Sequence, residues 1–133
     1  MAAIDPAQVQ RNNWVVWACL LASQVVYVAI AGPRVSGRHA PLPAVFATVL
    51  AAVAAATGLG AHFLWRRARG AGLAAHDPPP TPQVRFTSFI LAWVLDESIG
   101  VCGLTLSFLG APPATWAPFN AAAIALLLIH RPA

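Results

Sequence analysis

Apolar positions along this chain fall in four long blocks rather than alternating with polar ones. Trp14 to Gly32, Ala44 to Trp65 and Phe86 to Leu109 each supply about the 20 mostly apolar residues that a bilayer-crossing helix needs. A fourth block, Trp116 to Ile129, is shorter; it draws in Ala114 and Thr115 and sets a span over 114–130. The first three spans cover 14–32, 44–65 and 86–109. The pattern predicts an all-α fold, a polytopic membrane protein built as a four-helix transmembrane bundle, with 1–133 as a single membrane domain. No period of a repeat architecture is visible.

Proline and glycine mark the connections. Gly32-Pro33 closes the first block, and Pro41 and Pro43 open the second. Residues 66–85 form the longest connection and contain Asp77-Pro78-Pro79-Pro80-Thr81-Pro82, which predicts extended, polyproline-like backbone. Gly110-Ala111-Pro112-Pro113 predicts a tight turn between the last two spans. Ahead of the first block stand Asp5 and a single Arg11, and Gln24 and Tyr27 lie inside it. Those polar residues favour a retained span over a cleaved signal peptide.

Composition narrows the class. Hydrophobic residues make up 59% of the 133 and charged residues only 9%. A soluble domain is about 45–50% apolar and about 25% charged. With a mean hydropathy of +0.68, the chain is not a soluble enzyme, a disordered segment or a nucleic-acid-binding domain. All eight basic residues are arginine, and they sit at the ends of apolar blocks rather than along a stripe that could track phosphates. The expected partner is the lipid bilayer, with no nucleic acid.

The arginines also predict orientation. Arg11, Arg66, Arg67, Arg69, Arg85 and Arg131 fall on one side of a four-span layout, and Arg34 and Arg38 on the other. Positive residues stay in the cytoplasm, so both termini and the 66–85 loop are expected there, in a multi-pass protein of the inner or plasma membrane. Trp14, Trp65 and Trp116 stand at span ends, where interfacial anchors stand.

Asp96-Glu97 is the most informative pair. Glu97 is eleven residues beyond Phe86, roughly 16 Å into the span at about 1.5 Å per residue, hence near the midplane. Each ionised acid there costs about 2.5–3.5 kcal/mol, while the twelve Leu, Ile, Phe and Val residues of the span contribute about 4–7 kcal/mol on the same scale. Such a span has to be shielded by other helices. Neighbouring helical residues point about 100° apart, so the two acids lie on different faces. The Asp96 face reads Ala92, Asp96, Gly100, Gly103, Ser107, a small-residue stripe expected to serve helix packing. The Glu97 face reads Ile90, Trp93, Glu97, Val101 or Gly100, Leu104, Phe108. An acid at this depth is a functional candidate.

Residues 95–104, Leu95-Asp96-Glu97-Ser98-Ile99-Gly100-Val101-Cys102-Gly103-Leu104, resemble the carboxylate helix of the rotary ATPase proteolipids, subunit c. The resemblance spans ten residues. It implies Glu97 as the ion-carrying carboxylate, with Ser98 as a neighbouring ligand. Cys102 stands where that family has an aromatic hydroxyl.

Other chemistry is sparse. Cys19 and Cys102 lie inside apolar blocks without a CxxC motif and read as small buried hydrophobes. His62 and His130 fall at similar depth on different spans; facing histidines could ligate haem, whereas Trp65 and Arg131 beside them suggest interfacial residues. No cofactor and no metal site is expected, and His39 and His76 have no ligand-like spacing.

The sequence therefore predicts a non-enzymatic membrane protein that binds or translocates a proton or cation through Glu97, with Asp96, Ser98 and Gln24 as polar partners. It would act in a homo-oligomer or a larger membrane complex. The alternative is a structural or accessory subunit whose acids only specify helix packing. Orientation is directly checkable: a cysteine at Ala75 should be labelled from the cytoplasmic side and one at Gly37 from the opposite side. Labelling of both from one side would overturn the four-span layout.

Overall fold

The computed structural model describes residues 5–32, 43–70 and 79–132, and these form four helices with no strand among them. They are α1 (Pro6–Ala31), α2 (Ala44–Ala68), α3 (Pro82–Phe108) and α4 (Pro113–Ile129). The first three are long and apolar enough to cross a membrane; α4 is a shorter apolar helix. The fold is an all-α four-helix membrane bundle.

The helix ends follow local chemistry. Asp5 caps α1, its carboxylate accepting from the Ala7 amide at 3.0 Å, and Thr81 caps α3 by accepting from Val84 N. Pro82 was expected in extended backbone, yet it opens α3 as the first helical residue. At that position the missing N–H is no loss and the fixed φ suits the helix. Helix α3 therefore starts four residues ahead of the apolar block, and α1 starts eight ahead of its own. The rest of the proline-rich connection, 71–78, lies outside the described residues, as do 33–42 with Arg34, Arg38 and His39. At the far end of α3, Gly110 adopts φ 82°. The Ala111 amide donates to Leu106 O and the Gly110 amide to Ser107 O, each at 3.0 Å. This glycine-dependent cap satisfies two of the helix's last carbonyls and turns the chain directly into α4.

Helix α3 is the axis. It packs against all three other helices, while α2 and α4 touch only marginally. Its central role appears in burial: Ala92, Trp93, Asp96, Ile99, Gly100, Gly103, Leu106 and Ser107 are all buried. By contrast α1 and α2 present Val15, Val25, Val26, Val49, Val53 and Phe63 outward, as helices facing lipid do.

Two apolar clusters cover the two ends. One joins Ala68, Phe89, Trp93 and Leu127, with Trp17, Leu20 and Trp65 against them. The other joins Ala31, Leu106, Ala111 and Trp116. Together they set the register: α1 runs parallel to α3, and α2 and α4 run antiparallel to it. Trp116 was expected at the interface; it is buried in the second cluster instead, because the short 109–112 turn folds the start of α4 back onto α3. Of the three tryptophans expected as anchors, Trp14 is exposed.

Glycine spacing decides how closely the helices meet. A Cβ on Gly103 would lie 2.6 Å from Asn120 Nδ2 and 2.9 Å from both Phe119 Cβ and Trp116 O. One on Gly60 would meet only Leu95 Cδ1, at 3.7 Å. Gly103→Ala should therefore destabilise the bundle by about 1–3 kcal/mol through overpacking. Gly60→Ala should be neutral or stabilising by up to about 1 kcal/mol from helix propensity. Unfolding in detergent micelles checks the contrast.

Candidate functional site

Between the apolar ends, the middle of the bundle is polar. Asp96 on α3 and His130 at the end of α4 are both fully buried, and His130 Nδ1 lies 2.7 Å from Asp96 Oδ2. With Asp96 ionised, the carboxylate can only accept, and the donor of this bond is then the Nδ1–H of His130. The other ring nitrogen, Nε2, lies 3.3 Å from Nδ1 of His62 on α2. His62 is exposed. A line of side chains thus runs from the surface to the buried acid: His62, His130, Asp96.

The position of His130 follows from the shortness of α4. The helix ends level with Trp93 and Asp96, and indoles of two other helices bond its last carbonyls. Trp93 Nε1 donates to His130 O and Trp17 Nε1 donates to Leu127 O, both at 2.7 Å. These indoles satisfy the helix end that apolar surroundings would otherwise penalise. Trp65 closes the cluster. Its ring centroid lies 5.1 Å from that of His130 and 5.7 Å from that of His62, and the Arg69 guanidinium sits 4.4 Å from its ring centre. Trp65, expected as an interfacial anchor, is instead part of the site.

The haem alternative does not suit this arrangement. Both ring nitrogens of His130 are engaged, one by Asp96 and one by His62, so neither is aimed at an axial position. Among the described residues no group of three or more His, Cys, Asp or Glu could hold a metal ion. Cys19 and Cys102 are both free, and Cys19 is exposed rather than buried.

Glu97 sits on another face with other partners. Its Oε1 accepts from Ser23 Oγ at 2.7 Å and from the Tyr27 hydroxyl at 3.0 Å, both on α1. Gln24, expected among the partners of Glu97, packs over Gly100 instead, where a Cβ would overlap its Oε1. Ser98 Oγ donates to Leu95 O at 2.7 Å within its own helix and makes no hydrogen bond to Glu97.

The stripe Ala92, Asp96, Gly100, Gly103, Ser107 is buried along its length. What fills it is partly side chain rather than backbone: His130 at Asp96, Gln24 at Gly100, Asn120 at Gly103. Several of these polar atoms are orphans. Asp96 Oδ1, both amide atoms of Gln24 and Asn120 Oδ1 have no hydrogen-bond partner among the described residues. Each such atom costs about 1–3 kcal/mol if left unpaired. An apolar groove of about 420 Å³ lies elsewhere, between α2 and α4 over Ile99, lined by Ala51, Ala55, Gly58, Phe119 and Leu126. It presents no polar side chain and is not the site.

Sequence reasoning missed the His62–His130–Asp96 line, although the shared depth of the two histidines was readable. Sequence spacing sets Asp96 ten residues beyond Phe86 but His62 only three from Trp65, so depth alone did not join the acid to them. Comparison with protein families, curated proteins and solved structures finds no match to this chain.

If Asp96 and His130 act as one unit, their substitutions will not add. Asp96→Ala and His130→Ala should each destabilise by about 3–5 kcal/mol, as loss of one partner of a buried pair does. The double variant should fall short of the sum by about 1–3 kcal/mol. His62→Ala, at the exposed end, should cost under about 1 kcal/mol. Equilibrium unfolding in micelles supplies all four numbers.

Proposed function

We propose that this chain is a small proton-handling membrane protein that loads Asp96 through His62 and His130. The observation that carries this reading is the run of contacts from exposed His62 to fully buried Asp96, 3.3 Å and then 2.7 Å. A proton reaching Nε2 of His62 releases the one on Nδ1 to His130 Nε2. His130 then releases its Nδ1 proton to Asp96 Oδ2. Each imidazole gains one proton on one nitrogen and loses one from the other, and the neutralised carboxyl is the product. Two unlike nitrogens make imidazole suited to such a relay. The Trp65 ring face beside both imidazoles stabilises the transient cation.

Direction follows from the arginines. His62 lies one turn from Arg66, so with 66–85 and both termini cytoplasmic, loading starts from the cytoplasmic side of the inner or plasma membrane. Past Asn120, the cluster of Ala31, Leu106, Ala111 and Trp116 seals the opposite end. Release on that side calls for a partner, either further copies of the chain or a larger complex. The resemblance of residues 95–104 to subunit c supports an intramembrane carboxylate as the carrier. It names Glu97, but the hydrogen bonds favour Asp96.

A second reading has its own support. Glu97 is held by two hydroxyls of α1, which suits an acid that fixes helix packing in a structural or accessory subunit. The amide of Glu97→Gln keeps an oxygen for both hydroxyls and should be tolerated in either case.

Loading is measurable in liposome-reconstituted protein by a pH jump and the infrared band of the protonated carboxyl. The band should vanish in Asp96→Asn and persist in Glu97→Gln. His62→Phe keeps the aromatic bulk and should slow loading about 10²–10⁴-fold, the range for a positioned proton-transfer group. Loading as fast in His62→Phe as in the parent chain would overturn the relay, and a band lost only in Glu97→Gln would move the site to Glu97.

A further inference from the structure

Helices α2 and α4 run in the same direction and face each other across one cleft, which carries three kinds of chemistry in order. Deepest is the apolar groove of about 420 Å³, walled by Ala51, Ala55 and Gly58 on α2 and by Phe119, Ala122 and Leu126 on α4. One turn beyond Gly58 and Leu126 stand His62 and His130, 3.3 Å apart. One turn beyond His62 on the same face of α2 is Arg66, and next to His130 is Arg131; both arginines are exposed. Arg69, a further turn along that face, is held over the Trp65 ring at 4.4 Å. The acids among the described residues are Asp5, Asp96 and Glu97, and none of them pairs with an arginine.

We propose that this cleft binds an anionic phospholipid of the leaflet on the arginine side, with its phosphate at Arg66 and Arg131 and one acyl chain in the groove. Length selects this occupant. Ala51, at the far end of the groove, is fifteen residues before Arg66, roughly 22 Å at about 1.5 Å per residue. Half of a bilayer with its headgroup region measures about 20–22 Å, so the groove ends where one leaflet ends. A partner helix would cross both leaflets, yet the groove stops at Ala51, about two turns short of the start of α2. The room comes from small residues: Ala51, Ala55 and Gly58 recur every three or four positions and keep the α2 wall low. Charge selects the headgroup. Guanidinium groups present planar donor forks that match phosphate, and basic pockets between membrane helices are where anionic headgroups bind. The site rests neither on the loading reaction nor on which side of the membrane the arginines face.

Binding is read by native mass spectrometry of the full chain released from detergent micelles, titrated with phosphatidylglycerol or with phosphatidylcholine bearing the same two oleoyl chains. One phosphatidylglycerol per chain should bind about 10–30-fold more tightly than phosphatidylcholine, since each arginine beside an anionic headgroup is worth about fivefold. Arg66→Gln combined with Arg131→Gln should weaken phosphatidylglycerol by that same factor and leave phosphatidylcholine unchanged. Arg67→Gln is the control. Arg67 is exposed at nearly the same depth but is turned about 100° away around α2, and its substitution should cost under about twofold. Ala55→Phe, which fills the groove from an exposed position, should weaken both lipids. Equal affinity for the two lipids would overturn the site, as would equal losses in Arg66→Gln and Arg67→Gln, the result of diffuse surface charge only. A dimer in micelles that Ala55→Phe dissociates while lipid binding stays unchanged would also overturn it, by giving the groove to a second copy of the chain.

Discussion

The hydrogen bond between Asp96 and His130 is the constraint around which the rest is arranged. A carboxylate at the middle of a membrane helix is tolerated only with a close, directional partner. Here the partner is His130, the residue that caps α4, so the end of α4 has to lie beside Asp96. The carbonyls at that end then need donors from neighbouring helices. Trp93 and Trp17 supply the missing donors, and both tryptophans become fixed by the need to do so. Placing one acid thus dictates the length of a helix and the identity of two aromatic residues on others.

The same acid explains the small residues that follow it. Membrane helices use glycine to bring backbones together, and Gly103 does so against α4. Gly100 has a different use: it opens space for a glutamine side chain from α1. Composition alone cannot separate these two uses, because both read as glycine on one stripe. The difference lies in what the facing helix carries: at Gly103 the Asn120 carboxamide together with the Trp116 carbonyl and Phe119 Cβ, at Gly100 the Gln24 carboxamide alone.

Much of the architecture was legible because membrane burial writes itself in long apolar runs. The four blocks, the Gly110 turn and the inward Asp96 stripe follow from period and length. Where legibility failed, the cause was tertiary. The start of α3 was misjudged because Pro82 is a breaker inside a helix but a good first residue. Trp116 looked like an interfacial anchor because a span end normally meets the interface; the short turn after α3 buries it. The partners of Glu97 depend on the rotation of α1 about its own axis, and Ser23, Gln24 and Tyr27 all lie toward one side of it, so the sequence does not say which of them meets the acid. Ser23 and Tyr27, rather than Gln24, won that position.

Asp96 and Glu97 finally show how adjacent acids acquire separate surroundings without any difference in intrinsic chemistry. The 100° step between them sends one into the bundle axis and the other toward α1. Asp96 meets an imidazole whose second nitrogen leads to the surface, an arrangement through which a proton can be exchanged. Glu97 meets two hydroxyls on one helix, which can hold a carboxylate but, in this geometry, lead nowhere further. The apolar clusters at the two ends make the asymmetry complete: the histidines open the polar middle toward the arginine-rich end, while Trp116 and Leu106 close the other. In the loading reaction proposed above, exchange proceeds from one side until something displaces that second cluster, which makes the residues packed around Trp116 the place for a partner chain to act.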